Sequence, residues 1–177
     1  MRDTKMCVLC HTAENIDPES GNVLEFKQMI HKIHRGEFLP SVEAGKPYYI
    51  VGFRESIQDF SHAVWPQDVR NCTTCHSNAP NADNYKLAPN TTACTSCHDD
   101  VNLVTGENHP GGKKEDSKCA GCHEADGDTP SVTATHAIPD WGFQQIVELS
   151  LTPPANGEFY VGGETPVVTI ITKNAAT

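Results

Sequence analysis

The clearest periodic stretch of the chain lies after a turn-rich segment. Val23, Phe26, Ile30 and Ile33, widened by Leu24 and Met29, form an apolar stripe at helical spacing. The stripe predicts an amphipathic helix from Val23 to Arg35, stopped by Gly36 and preceded by a loop over 12–22 (TAENIDPESGN). Further on, Tyr48 to Val51 reads as a strand and Phe60 to Trp65 as its return, closed by Pro66. Short helices are expected where Asp68, Thr92 and Ser117 stand ahead of Cys72, Cys94 and Cys119, because polar caps support helices too short to persist unaided. From Ile138 onward the pattern turns strand-like: Ile146 to Leu151, Phe159 to Val161 and Val167 to Ile171, separated by Thr152–Gly157 and Gly162-Gly163 turns. Three short strands cannot bury a sheet on both faces. The expected division is one domain over 1–137 and a β-strand tail over 138–177 that either docks on the first domain or, the favoured reading, starts a β-sandwich.

Composition sharpens this picture. Only 37% of the 177 residues are hydrophobic and 7% aromatic, thin for a self-sufficient core of this size. No apolar run approaches the roughly 18 residues needed to cross a bilayer. The formal charge of −10 argues against a nucleic-acid partner, which would need a basic face. Something besides side-chain burial must hold the chain together.

The cysteines say what. All eight fall into four copies of one pattern: Cys7-Val-Leu-Cys10-His11, Cys72-Thr-Thr-Cys75-His76, Cys94-Thr-Ser-Cys97-His98 and Cys119-Ala-Gly-Cys122-His123. C-x-x-C-H is the attachment signature of c-type haem. Two thiols on one helical turn reach the two vinyl groups of a porphyrin edge, and the following imidazole reaches the iron as proximal ligand. Structural zinc and disulfides also use cysteine pairs. Neither needs a histidine at that place every time, and chance supplies all four with odds of roughly one in 10⁵. The reading is four covalently bound haem c groups.

An iron so held has one position left. Five histidines lie outside the motifs: His31, His34, His62, His109 and His136. They suffice for four distal ligands with one to spare, whereas Met1, Met6 and Met29 are too few. His31 and His34, at i and i+3 on the predicted helix, could serve two different haems. Bis-histidine iron changes oxidation state with little change in geometry and leaves no vacant position for a substrate. That favours an electron carrier over an enzyme with a catalytic residue. A multihaem reductase of nitrite or a similar oxyanion would instead need one open iron.

Spacing then sets the fold class. The first cysteines of the last three motifs are 22 and 25 residues apart, whereas 65 residues separate Cys7 from Cys72. So little polypeptide per haem implies a mostly irregular domain with short helices and a small β hairpin, its core built of porphyrin faces. Each ferric bis-histidine haem with two ionised propionates adds a formal −1. The loaded chain would carry about −14 oxidised and about −18 reduced, which favours cationic partners and couples reduction to proton uptake.

With these residues in view, the chain resembles the outer-membrane multihaem cytochromes of the OmcA/MtrC decahaem family. The resemblance rests on Met29-Ile30-His31-Lys32-Ile33-His34-Arg35-Gly36, on Phe60-Ser61-His62 leading into Trp65-Pro66-Gln67-Asp68-Val69-Arg70-Asn71 and the second motif, and on His109-Pro110-Gly111-Gly112. The tail from Leu149 to Glu164 resembles the opening of that family's β-sandwich domain. The resemblance implies pentahaem domains alternating with β-sandwiches, export from a Gram-negative cell to its surface, and electron transfer to extracellular acceptors. The implied partners are other multihaem cytochromes or neighbouring domains, metal oxides and flavin shuttles. Four motifs rather than five or ten suggest a fragment or a trimmed member. The surplus histidine would then belong to a haem outside this sequence, or to a neighbouring subunit in a homo-polymer or conductive filament.

Overall fold

The computed structural model describes residues 4–128, 130–138 and 145–174, which fall into two units, Met1–Ile138 and Pro139–Thr177. The first unit holds seven short helices among the described residues, all but one of four residues. These are α1 (Thr4–Cys7), α2 (Phe26–Arg35), α3 (Pro40–Glu43), α4 (Asn84–Leu87), α5 (Thr91–Cys94), α6 (Asp116–Cys119) and α7 (Val132–Thr135). One antiparallel hairpin, β1 (Tyr49–Gly52) with β2 (Ser56–Asp59), interrupts them. The mostly irregular, short-helix architecture is the one the motif spacing implied.

Several local expectations are corrected. The helix starts at Phe26 rather than Val23, because the Glu25 carboxylate accepts the Gln28 N–H at 2.8 Å and caps it there. Val23 instead pairs with Ile16, closing the preceding loop. The return strand is Ser56–Asp59, so Phe60 to Trp65 lies in turns and Pro66 closes no strand. Asp68 is no helix cap: its carboxylate is engaged by Arg70 through the backbone N–H and a forked guanidinium contact, the shortest 2.6 Å. The second motif is a single 3₁₀ turn, Cys72–Thr74, with no side-chain cap. Asn90 rather than Thr92 caps α5, accepting from the Ala93 N–H at 3.0 Å. Ser117 lies inside α6, and Asp116 beside it instead accepts the Thr91 N–H at 2.7 Å, tying the third motif to the fourth.

Core formation by the chain itself is slight. Among the described residues only Leu39, Tyr48 and Leu103 are buried apolar side chains. Val8, Leu9, Leu87 and Val104, all close to the cysteine motifs, stay largely exposed to anything but protein. What ties the first unit together is polar as much as apolar. Lys32 of α2 meets Asp99 at 2.6 Å with side-chain exposures of 13% and 6%. Ser41 donates to the same carboxylate through its N–H at 2.9 Å and its hydroxyl at 2.6 Å. Gly36 is required where α2 ends, since a Cβ there would stand 2.0 Å from the Ala63 carbonyl oxygen.

In the second unit β3 (Gln145–Leu151) pairs antiparallel with β4 (Val168–Asn174), Leu149 opposite Ile170. The expected strand at Phe159–Val161 does not form; that segment belongs to the long connection. Val147, Leu149, Leu151, Val168 and Ile170 share one face by the two-residue period and are all exposed.

Candidate haem sites

Each cysteine motif is wound the same way. The second cysteine and the histidine both donate their N–H groups to the first cysteine's carbonyl oxygen. The pairs of distances are 3.2 and 3.0 Å at Cys7, 3.2 and 2.8 Å at Cys72, 3.2 and 3.0 Å at Cys94, and 3.2 and 2.9 Å at Cys119. One tight turn thus brings the two cysteines and the histidine of each motif together, four times over. All eight thiols are free. No group of three or more His, Cys, Asp or Glu gathers as a metal site among the described residues. Burial pushes the thiols of Cys72, Cys94 and Cys119 up, and that of Cys97 to about 11.

The distal candidates sort themselves by ring geometry. His31 faces His76 with ring centres 6.2 Å apart and planes within 2°. His136 faces His98 at 6.1 Å and 70°, and His109 faces His123 at 6.3 Å and 40°. An iron bonded to both rings, with about 2 Å per bond and about 1.1 Å more to each ring centre, requires about 6.2 Å. Three pairs stand at that spacing. His34 is packed edge-on against Trp65 at 4.2 Å, His62 is exposed in the turn before it, and His11 stands in its own motif turn; these three are not in such pairs.

Hydrogen bonds orient the rings. Nδ1 of His31 lies 2.7 Å from the Lys27 carbonyl oxygen, Nδ1 of His34 2.7 Å from that of Ile30, and Nδ1 of His136 2.8 Å from that of Val132. His11, His109 and His123 do the same with Leu24 at 2.8 Å, Gly112 at 2.6 Å and Pro130 at 3.0 Å. A carbonyl can only accept, so Nδ1 carries the proton and Nε2 presents its lone pair for a metal. Burial pushes His31 and His98 below the usual imidazole range, keeping them in the neutral, ligating form. Burial would raise the Asp99 carboxyl, next to His98, but Lys32 and Ser41 outweigh it and hold the group below its ordinary value.

These partners were not foreseen from the sequence, although the i−4 carbonyl is available to any histidine on a helix. The Lys32–Asp99–Ser41 cluster, joining residues far apart in the chain, left no signal at all. A cleft of about 230 Å³ lined by Arg70, Cys72, Tyr85, Val132 and His136 brings the second motif beside the distal candidate of the third. The donor set, paired thiols beside neutral paired imidazoles in a unit with almost no apolar core, fits haem c.

The comparisons agree. Residues 1–137 match the family described as outer membrane cytochrome MtrC/MtrF-like, domains II/IV. The outer membrane decaheme cytochrome OmcA is similar over 96% of this chain at 28% identity, with a TM-score of 0.58. MtrC from Shewanella baltica OS185 shares the fold over 98% of the chain, at 22% identity and a TM-score of 0.50. The chain spans about a quarter of the length of each, 25% and 23%. Among curated proteins no sequence match was found. With its match over most of the chain, this protein belongs to the outer membrane cytochrome MtrC/MtrF-like family.

Proposed function

We propose that this chain is a tetrahaem electron-transfer module of an exported, cell-surface electron pathway. Cys7 and Cys10, Cys72 and Cys75, Cys94 and Cys97, and Cys119 and Cys122 would hold the four haems, with His11, His76, His98 and His123 proximal. His31, His136 and His109 are the distal ligands opposite His76, His98 and His123. His34 and His62 remain for the iron of His11, and the one not used there is spare. Bound at these positions, haem c supplies one-electron centres that exchange electrons without bond chemistry. The chain's own residues set the rest: Nδ1–H bonds to backbone carbonyls aim the imidazoles, and Lys32–Asp99 fixes α2, which carries His31, against the turn that carries His98.

One observation carries this reading: the three imidazole pairs at 6.1–6.3 Å. A reductase would require an open iron, and only the His11 site lacks a paired ring. Other multihaem cytochromes or neighbouring domains are the proposed partners, and metal oxides or flavin shuttles the proposed acceptors. The test combines intact mass, which counts the haems, with the oxidised visible spectrum and electron paramagnetic resonance. Four haems, all low-spin, are expected. A substantial high-spin ferric population would move the assignment to the reductase, and fewer than four haems would overturn the module as drawn.

A further inference from the structure

Arg35 is the last residue of α2, one helical turn beyond His31 on the same face and directly before Gly36. The side chain is half-buried, and its Nε is sealed from solvent without a hydrogen-bond partner. It enters no ion pair among the described residues, and its recorded contact is the Phe38 ring, 5.8 Å from the guanidinium carbon. The other part-buried cations of this unit are treated differently: Lys32 is paired with Asp99 and Arg70 is forked on Asp68. In a chain of formal charge −10, carboxylates are plentiful, yet among the described residues none forms an ion pair with Arg35, Asp68 being taken up by Arg70. Lys32 of the same helix pairs with Asp99 beside His98 and His31 faces His76, so α2 stands between the second and third motifs. The backbone cannot carry Arg35 elsewhere. Gly36 holds φ 49° with no room for a Cβ beside the Ala63 carbonyl oxygen, and Glu37 N–H donates to that oxygen at 3.1 Å.

A guanidinium whose Nε is sealed from water without a partner is best satisfied by an anion, and its planar fork fits a carboxylate best. Haem c brings two carboxylates of its own. The haem that His31 would hold stands against α2, and Arg35 lies one turn further along the same face. We propose that Arg35 holds a propionate of the haem that His31 and His76 would ligate, its positive charge making that haem easier to reduce than its neighbours. This rests on the His31–His76 pairing proposed above.

The test uses the full haem-loaded chain with Arg35→Gln and Arg35→Lys, followed by redox titration and by proton NMR of the haem methyl groups. The haem in question is identified as the one whose signals change in His31→Met. At an effective dielectric near 20, removing a unit charge about 12 Å away should shift its reduction equilibrium by about tenfold, or about 59 mV for one electron. Arg35→Gln should lower that haem's potential by this amount, and Arg35→Lys, which keeps the charge but not the fork, should restore part of it. All four irons should stay low-spin. A shift under about twofold, a shift carried by another haem, or a high-spin iron would overturn the propionate contact. If His31→Met left every haem signal unchanged, the His31–His76 pairing itself would fall, and this assignment with it.

Discussion

Asp99 offers the sharpest test of how the first unit is held together. Its carboxylate receives Lys32 Nζ at 2.6 Å, the Ser41 N–H at 2.9 Å and the Ser41 hydroxyl at 2.6 Å. The ion pair is nearly dry, with side-chain exposures of 13% and 6%, and the ammonium lies 5.2 Å from the centre of the Tyr48 ring. Asp99→Ala removes all three bonds and strands the Lys32 charge in that environment. Breaking a buried pair from one side costs about 3–5 kcal/mol, whereas an exposed pair is worth about 0–1 kcal/mol. For a unit of this size each kcal/mol lowers Tm by about 2–4 °C, so a fall of roughly 6–20 °C is expected. Removing the stranded charge with Lys32→Met in the same chain should recover at least half of the loss, because the two sites are coupled. The assay is thermal melting of the haem-loaded protein followed by circular dichroism in the haem band. A loss below about 1 kcal/mol, or no recovery in the double variant, would refute the claim that this pair joins α2 to the His98 turn.

Other expectations follow from single contacts. A Cβ at Gly111 would stand 2.9 Å from Cε1 and 3.4 Å from Nδ1 of His109, whose ring is already pinned by Gly112 at 2.6 Å. Gly111→Ala should therefore displace the ring and turn about one iron in four high-spin by visible spectroscopy; an unchanged spectrum would remove His109 from the ligand set. The Ser20 hydroxyl and the Val51 N–H hold the Asp17 carboxyl at about 2 rather than 3.8. Its contribution to stability is complete above about pH 4 and is lost as pH falls towards 2, since the unfolded carboxyl takes up its proton first. Acid melts of Asp17→Asn should be flatter over that window than those of the parent, and equal slopes would count against the assignment. The ring planes of His31 and His76 are 2° apart and those of His98 and His136 are 70° apart. Parallel imidazoles split the iron d orbitals and crossed ones leave them nearly degenerate. Low-temperature resonance spectra should therefore contain both a rhombic and a strongly anisotropic low-spin species, and His136→Met should abolish the anisotropic one; a single species throughout would contradict these angles.

The chemistry was legible in the order of the residues because a thioether needs its two sulfurs on one turn with the imidazole next to them. That constraint is local, so C-x-x-C-H announces the cofactor, the proximal histidines and, through the short motif spacing, a unit with little core of its own. Local signals were less faithful where a side chain had a better offer. Asp68 binds Arg70 instead of capping a helix, and Glu25 rather than the apolar stripe decides where α2 begins. Only the fold could say which imidazoles approach which motif, since His31 with His76 and His136 with His98 join positions 45 and 38 residues apart. The buried Lys32–Asp99 pair and the unpartnered Arg35 also came from folding alone. Sequence spacing carries no record of which residues approach through space when the interior is built around a cofactor rather than around side chains.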